Sequence, residues 1–418
     1  MALPFTVTTI TVPLLLVDTA GISIRQPIRT GFGCASRISV STTIWPSSAP
    51  YTDQKLSPWP VVFQIKELSV PFTLNGNFVF DATWRQPKSQ FVVTGALGPV
   101  RIQSESFPVP ADNDTTVTAS GFTFYETDVP NAPFKCVGNW KWTITHIPPL
   151  ARPAAVPVAS KQLTCIEAYF FLGGIAPPFK TFHIAELLRL IVLDLIEVNA
   201  IVGDPVLGYA SHIAWKMWWF GGIAYGGIQP LRYDCLTGNT WYTRWLDNTG
   251  NRLAFDLDLF LQRKQEWCNC HDLACIIQVC CAALGKNTTN HSFIETTRFF
   301  AQPFGYIPCG PLFGWRDYIN VNNPFWMGTN GLQKDMEQMD PNRTWFDNHS
   351  WVQFGAERDQ RILDITHGLM AGTAYTIFAG DETVAQYLNT STEQGFSGRS
   401  HILGPHMGTR PGDLTLCF

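Results

Sequence analysis

The chain has 418 residues, a formal net charge of −4, a hydrophobic fraction of 45% and a charged fraction of only 15%. This length exceeds the ~150 residues of a typical domain and predicts two domains, while the low charge excludes a disordered or coiled-coil protein. The 29 lysines and arginines do not outnumber the 33 aspartates and glutamates. Because nucleic-acid binding requires an excess of clustered basic charge, we expect a globular protein that binds no nucleic acid.

The first part of the chain is rich in short stretches in which apolar and polar residues alternate. Residues 61–66, 77–82 and 139–144 are examples, and turn residues separate them. Alternation with a period of two predicts β-strands. Many short strands without a helical period favour an antiparallel β-sandwich or barrel.

A proline-rich segment at residues 146–160 follows this β-rich part. Proline at this density is typical of a semi-rigid linker, so we place a domain boundary within this segment. The prediction is a β-rich domain over residues 1–150 and a second domain over residues 151–418. The second domain mixes helical and strand patterns, and its loop-rich stretch over 302–345 is expected to shape a substrate pocket.

The sequence contains no pattern typical of a secretory signal or a membrane span. The apolar run at residues 12–17 is short and no basic residue precedes it, so it does not predict a signal peptide. The longest apolar helix pattern, over 185–202, carries Glu186 and three further charges, which predicts a core helix. Without a membrane span we expect no membrane contact. Because the count of 11 cysteines is odd and several of them are crowded together, we expect free thiols and a cytoplasmic location.

The most informative stretch runs from Trp267 to Gly285 and combines cysteines with helical periodicity. From Leu273 onward the apolar residues recur with the spacing of a helix, and Gly285 is a typical residue after a helix C-terminus. Cys270 therefore lies at the first turn of the predicted helix, where free backbone N–H groups and the positive end of the helix dipole favour a thiolate. This position suits a cysteine nucleophile.

A base and its orienting carboxylate are predicted further along the chain. The alternating strand over 346–355 contains His349, and the strand over 361–368 contains Asp364. If a tight hairpin joins the two strands, His349 and Asp364 lie directly opposite each other with Cβ atoms about 4.5–5.5 Å apart. A carboxylate at that distance fixes the tautomer of the imidazole and stabilises its protonated form. His367, at the end of the second strand, is expected on the surface.

Three short strings in this order resemble the transglutaminase-like superfamily. They are Cys-x-Asp-Leu-Ala from Cys270 at the start of a helix, His-x-Trp-Val from His349 on a strand, and Leu-Asp ending at Asp364 on the next strand. The resemblance covers about residues 230–368 and implies that these three residues form a catalytic triad. It also implies an α+β fold, in which an N-terminal antiparallel β-sandwich or barrel precedes a papain-like α+β core.

Two features of the site stay open at this point. Members of the family often carry a glycine two residues before the nucleophile, where this chain has Cys268, and Cys268 itself is an alternative nucleophile. The family's oxyanion stabiliser is often an aromatic or amide side chain on a preceding strand. Trp241, Tyr242 and Trp245 are candidates for this role, together with the backbone N–H of Cys270.

No metal or organic cofactor is predicted. The chain has no CxxC pair, and a helix distributes the clustered thiols over different faces rather than toward one ion. The acidic calcium-binding segments of animal transglutaminases are not matched here, so calcium dependence is not carried over.

The resemblance implies a cysteine acyltransferase that forms an acyl-thioester on Cys270 and passes the acyl group to an amine. The expected acyl donor is a peptide amide or a thioester, including a thioester on a carrier protein in small-molecule biosynthesis. A cysteine peptidase or amidase with the same triad is an alternative, since only the acceptor differs. A non-catalytic binding scaffold is a second alternative, against which the presence of all three residue types argues.

Overall fold

The structure is a computed structural model that describes the chain with gaps. The described residues are 5–11, 25–26, 28–32, 37–39, 43–46, 60–65, 68–80, 84–85, 87–109, 114–149, 157–160, 163–222, 230–246, 252–306, 310–315, 324–328, 340, 342–355, 360–371, 374–391 and 406–418.

The first described part of the chain forms β-strands, as the alternating sequence predicts. They are β1 (Thr6–Thr11), β2 (Arg25–Gln26), β3 (Ile28–Thr30), β4 (Arg37–Ser39), β5 (Thr43–Pro46), β6 (Val61–Gln64), β7 (Ser69–Val70), β8 (Thr73–Asn77), β9 (Gln90–Leu97), β10 (Val100–Gln103), β11 (Phe107–Pro108), β12 (Thr116–Ala119), β13 (Phe122–Phe124), β14 (Phe134–Ile147), β15 (Val158–Ala159) and β16 (Thr164–Phe171).

Fourteen of these strands form two larger sheets. One has four strands in the order β12-β8-β1-β5, and the other has the order β2-β6-β16-β14-β9-β10-β13-β7 with β11 beside β9 and β15 beside β14. All pairings in the second sheet are antiparallel except that of β16 with β6. Because β16 begins at Thr164, this sheet extends beyond residue 150. The division into two domains stays a prediction.

Aromatic side chains on the larger sheet are buried in the hydrophobic core. Trp140 and Trp142 on β14 are both buried, with ring centroids 5.9 Å apart. Gly95 on β9 pairs with Trp142, and a Cβ atom at Gly95 would lie 2.5 Å from the indole ring. Glycine at this position therefore allows the indole to lie flat against the neighbouring strand.

The second part of the chain mixes helices and strands. They are β17 (His183–Ile184), α1 (Ala185–Ile191), α2 (Leu195–Asn199), α3 (Pro205–Phe220), β18 (Arg232–Tyr233), β19 (Thr243–Trp245), β20 (Leu253–Asp256), α4 (Leu257–Leu261), β21 (Trp267–Cys268), α5 (Cys270–Ala283), β22 (Thr296–Ala301), β23 (His349–Phe354), β24 (Arg361–Ala371), β25 (Ala374–Thr383), α6 (Val384–Ser391), β26 (His406–Thr409) and β27 (Leu414–Cys417). Short 3₁₀ turns lie at Trp326–Gly328 and Pro411–Asp413.

The predicted single helix over 185–202 is wrong in one respect, because the structure divides it into α1 and α2. Asp194 has extended backbone angles and caps α2 through a reciprocal arrangement with Glu197, whose side chain accepts from the Asp194 N–H at 2.8 Å. An aspartate offers its carboxylate to free N–H groups at a helix start, so this residue ends one helical segment and begins the next.

Helix α5 is the centre of the second part. All of its residues are buried, and it packs against a five-stranded sheet of order β25-β24-β23-β22-β26. Helix α3 packs against α5 and against β24 and β25. A helix buried on every face explains why apolar residues and cysteines occupy nearly all of its positions.

Strand β3 connects the beginning of the chain to the second part. Strand β3 pairs in parallel with β17 in a small sheet that also contains β4. Arg29 on β3 forms a buried ion pair with Asp258, with Nη1 at 2.9 Å from Oδ1. A buried ion pair needs both partners in place, so it fixes β3 against α4.

Among the described residues, 21% are helical and 41% lie in strands, so both kinds of element occur and sheet predominates, in agreement with the expected α+β class. Among the helices in the described residues, none combines the length and the apolar character that crossing a bilayer requires.

Candidate active site

The first turn of α5 is held by a reciprocal cap. The Asn269 side chain accepts from the N–H groups of His271 and Asp272 at 3.0 and 3.1 Å, and the Asp272 carboxylate accepts from the Asn269 N–H at 3.2 Å. Cys270 is the first residue of the helix and is buried. Within the described residues the N–H of Cys270 has no hydrogen-bond partner, so it is an available donor at the positive end of α5.

Asp272 also fastens the preceding strand segment to the helix start. Its two carboxylate oxygens accept from the backbone N–H groups of Trp241 and Tyr242 at 3.0 and 3.1 Å. Complete burial raises the pKa of Asp272 to about 6, against the lowering effect of these hydrogen bonds. The aspartate of the Cys-x-Asp-Leu-Ala string therefore has a structural task that the sequence did not reveal.

Two of the three predicted oxyanion side chains donate elsewhere. The Trp241 indole N–H donates to Oδ2 of Asp234 at 3.1 Å, and the Tyr242 hydroxyl donates to the Gln265 carbonyl at 2.6 Å. Each of these side chains has a single donor hydrogen, so neither is available to an oxyanion in this arrangement. Trp245 lies with its ring 5.2 Å from that of His271. Its role stays a prediction, as does that of the Cys270 amide.

His349 and Asp364 form a short, buried hydrogen bond. Nε2 of His349 lies 2.8 Å from Oδ2 of Asp364, and both side chains are almost fully buried. Burial alone would lower the pKa of His349, but the Asp364 carboxylate and the Cys270 thiol raise it to about 9. Burial would likewise raise the pKa of Asp364, yet its imidazole neighbours hold it well below its usual range. The other ring nitrogen, Nδ1, is buried and has no hydrogen-bond partner among the described residues, while the Cys270 thiol is near enough to influence the pKa of the ring.

The strand register differs from the predicted one. Direct opposition of His349 and Asp364 is wrong, because Val352 pairs with Leu363 and Phe354 pairs with Arg361. Continued along the strands, this register places Thr366 opposite His349. The observed pairing is therefore shifted by two residues from the predicted one. A shift of two keeps both side chains on the same face of the sheet, so they meet diagonally.

A bulge in β24 brings a second histidine to Asp364. The pairing with β25 jumps from Asp364 with Phe378 to Gly368 with Ile377, which leaves residues 365–367 outside that ladder. These residues bond instead to residues 311–313. As a result His367 is fully buried, with Nδ1 at 3.7 Å from Oδ2 of Asp364, and its predicted surface position is wrong.

Two further donors hold the Asp364 carboxylate. The Tyr387 hydroxyl donates to Oδ2 at 2.8 Å, and the Thr366 N–H donates to Oδ1 at 2.9 Å. Tyr387 comes from α6, and no sequence pattern connects it to Asp364. The carboxylate is therefore held in one orientation from two sides.

Two other side chains near the thiol were not found from the sequence. Arg298 on β22 is buried and donates from Nη1 to Oγ of Ser350 at 3.1 Å. Burial lowers its pKa, and the nearby Cys275 and Cys270 thiols raise it. Tyr233 is also fully buried, and burial together with the Cys270 thiol raises its pKa well above the usual range.

The alternative nucleophile, Cys268, lies in a less suitable environment. It is fully buried on β21, and burial together with the Asp272 carboxylate raises the pKa of its thiol well above the usual range. A thiol in such surroundings stays protonated and unreactive. This favours Cys270 over Cys268 as the reactive cysteine.

No model of a protein family matches the chain, and no curated protein sequence matches it either.

Proposed function

We propose that the chain is a transglutaminase-like cysteine acyltransferase in which Cys270 carries the acyl group. The observation that carries the proposal is the buried 2.8 Å hydrogen bond between His349 and Asp364 beside the first turn of α5, where Cys270 begins the helix. The order of the three residues and the resemblance of their surrounding strings add support. Without a matching relative, the proposal rests on this geometry and on that resemblance.

The first half of the reaction forms an acyl-enzyme. His349 holds Cys270 as a thiolate paired with its own imidazolium, and Asp364 keeps the ring oriented. The thiolate attacks the carbonyl carbon of an amide or a thioester, and the Cys270 N–H donates to the oxyanion that forms. Collapse of the tetrahedral intermediate breaks the bond to the leaving group, which takes a proton from His349. The acyl group is then joined to Cys270 as a thioester.

The second half transfers the acyl group to an amine. The amine attacks the thioester carbonyl and gives its proton to His349, and the thiolate of Cys270 leaves. The product is an amide, and the enzyme returns to its starting state. Because Cys270, His349 and Asp364 are all nearly inaccessible to water, we favour transfer to an amine over hydrolysis. No cofactor is needed for this sequence of steps, and a cytoplasmic location belongs to the same proposal.

Iodoacetamide labelling at pH 6 with mass-spectrometric assignment of the modified cysteines tests the proposal. An ordinary thiol is mostly protonated at this pH, so a paired thiolate should react at least about tenfold faster. We expect selective alkylation of Cys270 in the wild type, and loss of that selectivity in His349→Ala. Uniform slow labelling of several cysteines would favour the non-catalytic scaffold.

Cys268→Ala is the matched control for Cys270→Ala. The first variant should keep the fast labelling of Cys270, while the second should lose all acyl transfer and retain the fold by circular dichroism. Acyl transfer is measured with a glutamine-containing peptide amide and with N-acetylcysteamine thioesters, using hydroxylamine as the acceptor. Release of free acid instead of hydroxamate would favour the peptidase or amidase alternative.

A further inference from the structure

His349, Asp364 and His367 form a compact cluster of potential metal ligands. One ligand atom from each residue lies within 4.8 Å of the others, and all three side chains are buried. The bulge in β24 is what creates the cluster, since it turns His367 inward beside the carboxylate that already holds His349.

His367 has an unusual environment for a buried histidine. Its side chain is inaccessible to solvent, and within the described residues neither ring nitrogen has a hydrogen-bond partner. Buried polar groups are nearly always paired, because an unpaired one loses its hydration without compensation. The rings of Phe346 and Phe378 lie 6.4 and 5.5 Å from the imidazole, centroid to centroid, and offer no polar partner. A metal ion that accepts the lone pair of one ring nitrogen would give that nitrogen a partner.

We propose that His349, Asp364 and His367 bind a divalent transition-metal ion, with Zn²⁺ as the representative ion. Two neutral imidazoles and one carboxylate are a typical ligand set for zinc. Three protein ligands leave a fourth position for water.

The distances allow this coordination with small side-chain movements. Tetrahedral zinc with bonds of about 2.0–2.2 Å places neighbouring ligand atoms about 3.3–3.6 Å apart. The observed separations are 2.8 Å from His349 Nε2 to Asp364 Oδ2 and 3.7 Å from His367 Nδ1 to the same oxygen, and all ligand atoms of the cluster lie within 4.8 Å of one another, so the two imidazoles must move closer together. The hydrogen bonds from Tyr387 and Thr366 already orient the carboxylate, as the neighbours of zinc ligands typically do.

Metal binding and the proposed catalysis exclude each other. Zinc at Nε2 of His349 displaces the proton of that nitrogen to solvent and takes over the bond to Asp364. The imidazole can then no longer exist as the imidazolium that pairs with the Cys270 thiolate. The ion is therefore a reversible inhibitor. This consequence rests on the proposed function, whereas the binding itself does not.

The test uses the full chain, freed of metal with a chelator, and titrates it with Zn²⁺ by calorimetry. We expect one ion per chain in the wild type and in Cys270→Ala, because the thiol is not a ligand. We expect His367→Ala to lose this stoichiometric binding, and Tyr387→Phe to weaken it by about tenfold because the carboxylate loses an orienting bond. Failure of the wild type to bind, or binding unchanged in His367→Ala, overturns the inference.

Co²⁺ provides a second measurement that does not depend on how the His367 variant folds. Cobalt held by nitrogen and oxygen ligands gives visible absorption bands without a sulfur-to-metal charge-transfer band. A charge-transfer band in the wild type that disappears in Cys270→Ala would place the ion on the thiol and contradict the proposed ligand set.

The two proposals fail separately in these experiments. Alkylation of Cys270 in the metal-free chain tests the thiolate and involves no ion, while Zn²⁺ binding to Cys270→Ala involves no catalysis. If both proposals hold, Zn²⁺ slows alkylation of the wild type, and His367→Ala removes that protection.

Discussion

Tyr387 donates its hydroxyl hydrogen to Oδ2 of Asp364 at 2.8 Å, deep inside the protein. The donor lies on α6 and the acceptor on β24, so this bond connects the last described helix to the strand that carries the proposed triad carboxylate. A hydrogen bond to a buried charged group contributes more than one between neutral groups, at about 1.5–3 kcal/mol.

We therefore expect Tyr387→Phe to lower the free energy of unfolding by about 1.5–3 kcal/mol, since it leaves a buried carboxylate with one donor fewer. Urea denaturation followed by tryptophan fluorescence measures this. Tyr125→Phe removes the same atom from a half-buried tyrosine and should change the value by less than about 0.5 kcal/mol. Equal effects in the two variants would show that the bond to Asp364 contributes nothing particular.

Asp364→Asn should reduce the catalytic rate by about 10²–10⁴-fold while preserving the overall shape of the site. The amide has no negative charge to stabilise the His349 imidazolium, and it fixes the ring less well in the required tautomer. Single-turnover acylation with a thioester donor measures the effect. Asp381→Asn, at an exposed position on β25, is the control and should leave the rate unchanged. A rate close to wild type in Asp364→Asn would remove Asp364 from the mechanism.

The placement of His349 and Asp364 shows how much of the site the sequence could predict. The helix start at Cys270 and the strands carrying His349 and Asp364 follow from local periodicity and capping residues, which act over a few positions. The register did not follow, because a shift of two residues leaves the alternating pattern unchanged and so cannot be distinguished by it. The two side chains nevertheless lie on the same face of the sheet, as predicted, since a shift of two residues returns each side chain to the same side.

The remaining parts of the site depend on contacts between distant segments. Tyr387 reaches Asp364 only because α6 packs against β24, and His367 turns inward only because residues 311–313 replace β25 as its pairing partner. The hydrogen bonds that Trp241 and Tyr242 donate could not be predicted for the same reason. Their partners, Asp234 and Gln265, are set by tertiary packing, and no spacing in the sequence indicates them.

Asp272 predicts a particular dependence of stability on pH. Burial raises its pKa from 3.8 to about 6 in the folded chain, so between these values the folded state holds a proton that the unfolded state has lost. Its contribution to the free energy of unfolding is therefore most favourable below about pH 4 and is lost as the pH rises through about 6. Over this pH window the contribution changes by about 3 kcal/mol.

Asp272→Asn removes this titration. The variant loses hydrogen bonds to Trp241, Tyr242 or Asn269 at every pH, which gives a constant offset. The prediction concerns the slope: the stability of the wild type relative to the variant should fall as the pH is raised from 4 to 6. Urea midpoints at several pH values measure it, with Asp381→Asn expected to follow the wild type. Parallel curves for the wild type and Asp272→Asn would contradict the raised pKa.

Gly310 lies where the bulge in β24 meets the segment 311–313. A Cβ atom at this position would lie 1.9 Å from the carbonyl oxygen of Gly368, which is a backbone atom and cannot move aside independently. The neighbouring Gly368 N–H donates to the Pro311 carbonyl at 2.8 Å, so any displacement also disturbs the pairing that turns His367 inward.

Gly310→Ala should therefore lower the free energy of unfolding by about 2–4 kcal/mol, in the range of buried backbone clashes. Gly174→Ala is the matched control, because a Cβ atom at Gly174 meets nothing within 4 Å. If Gly310→Ala still folds at low temperature, it should bind Zn²⁺ more weakly than Gly174→Ala, since the bulge no longer holds His367 beside Asp364. Equal stability of the two variants would mean that residues 310–313 do not pack against the bulge, and the position of His367 would then need another cause.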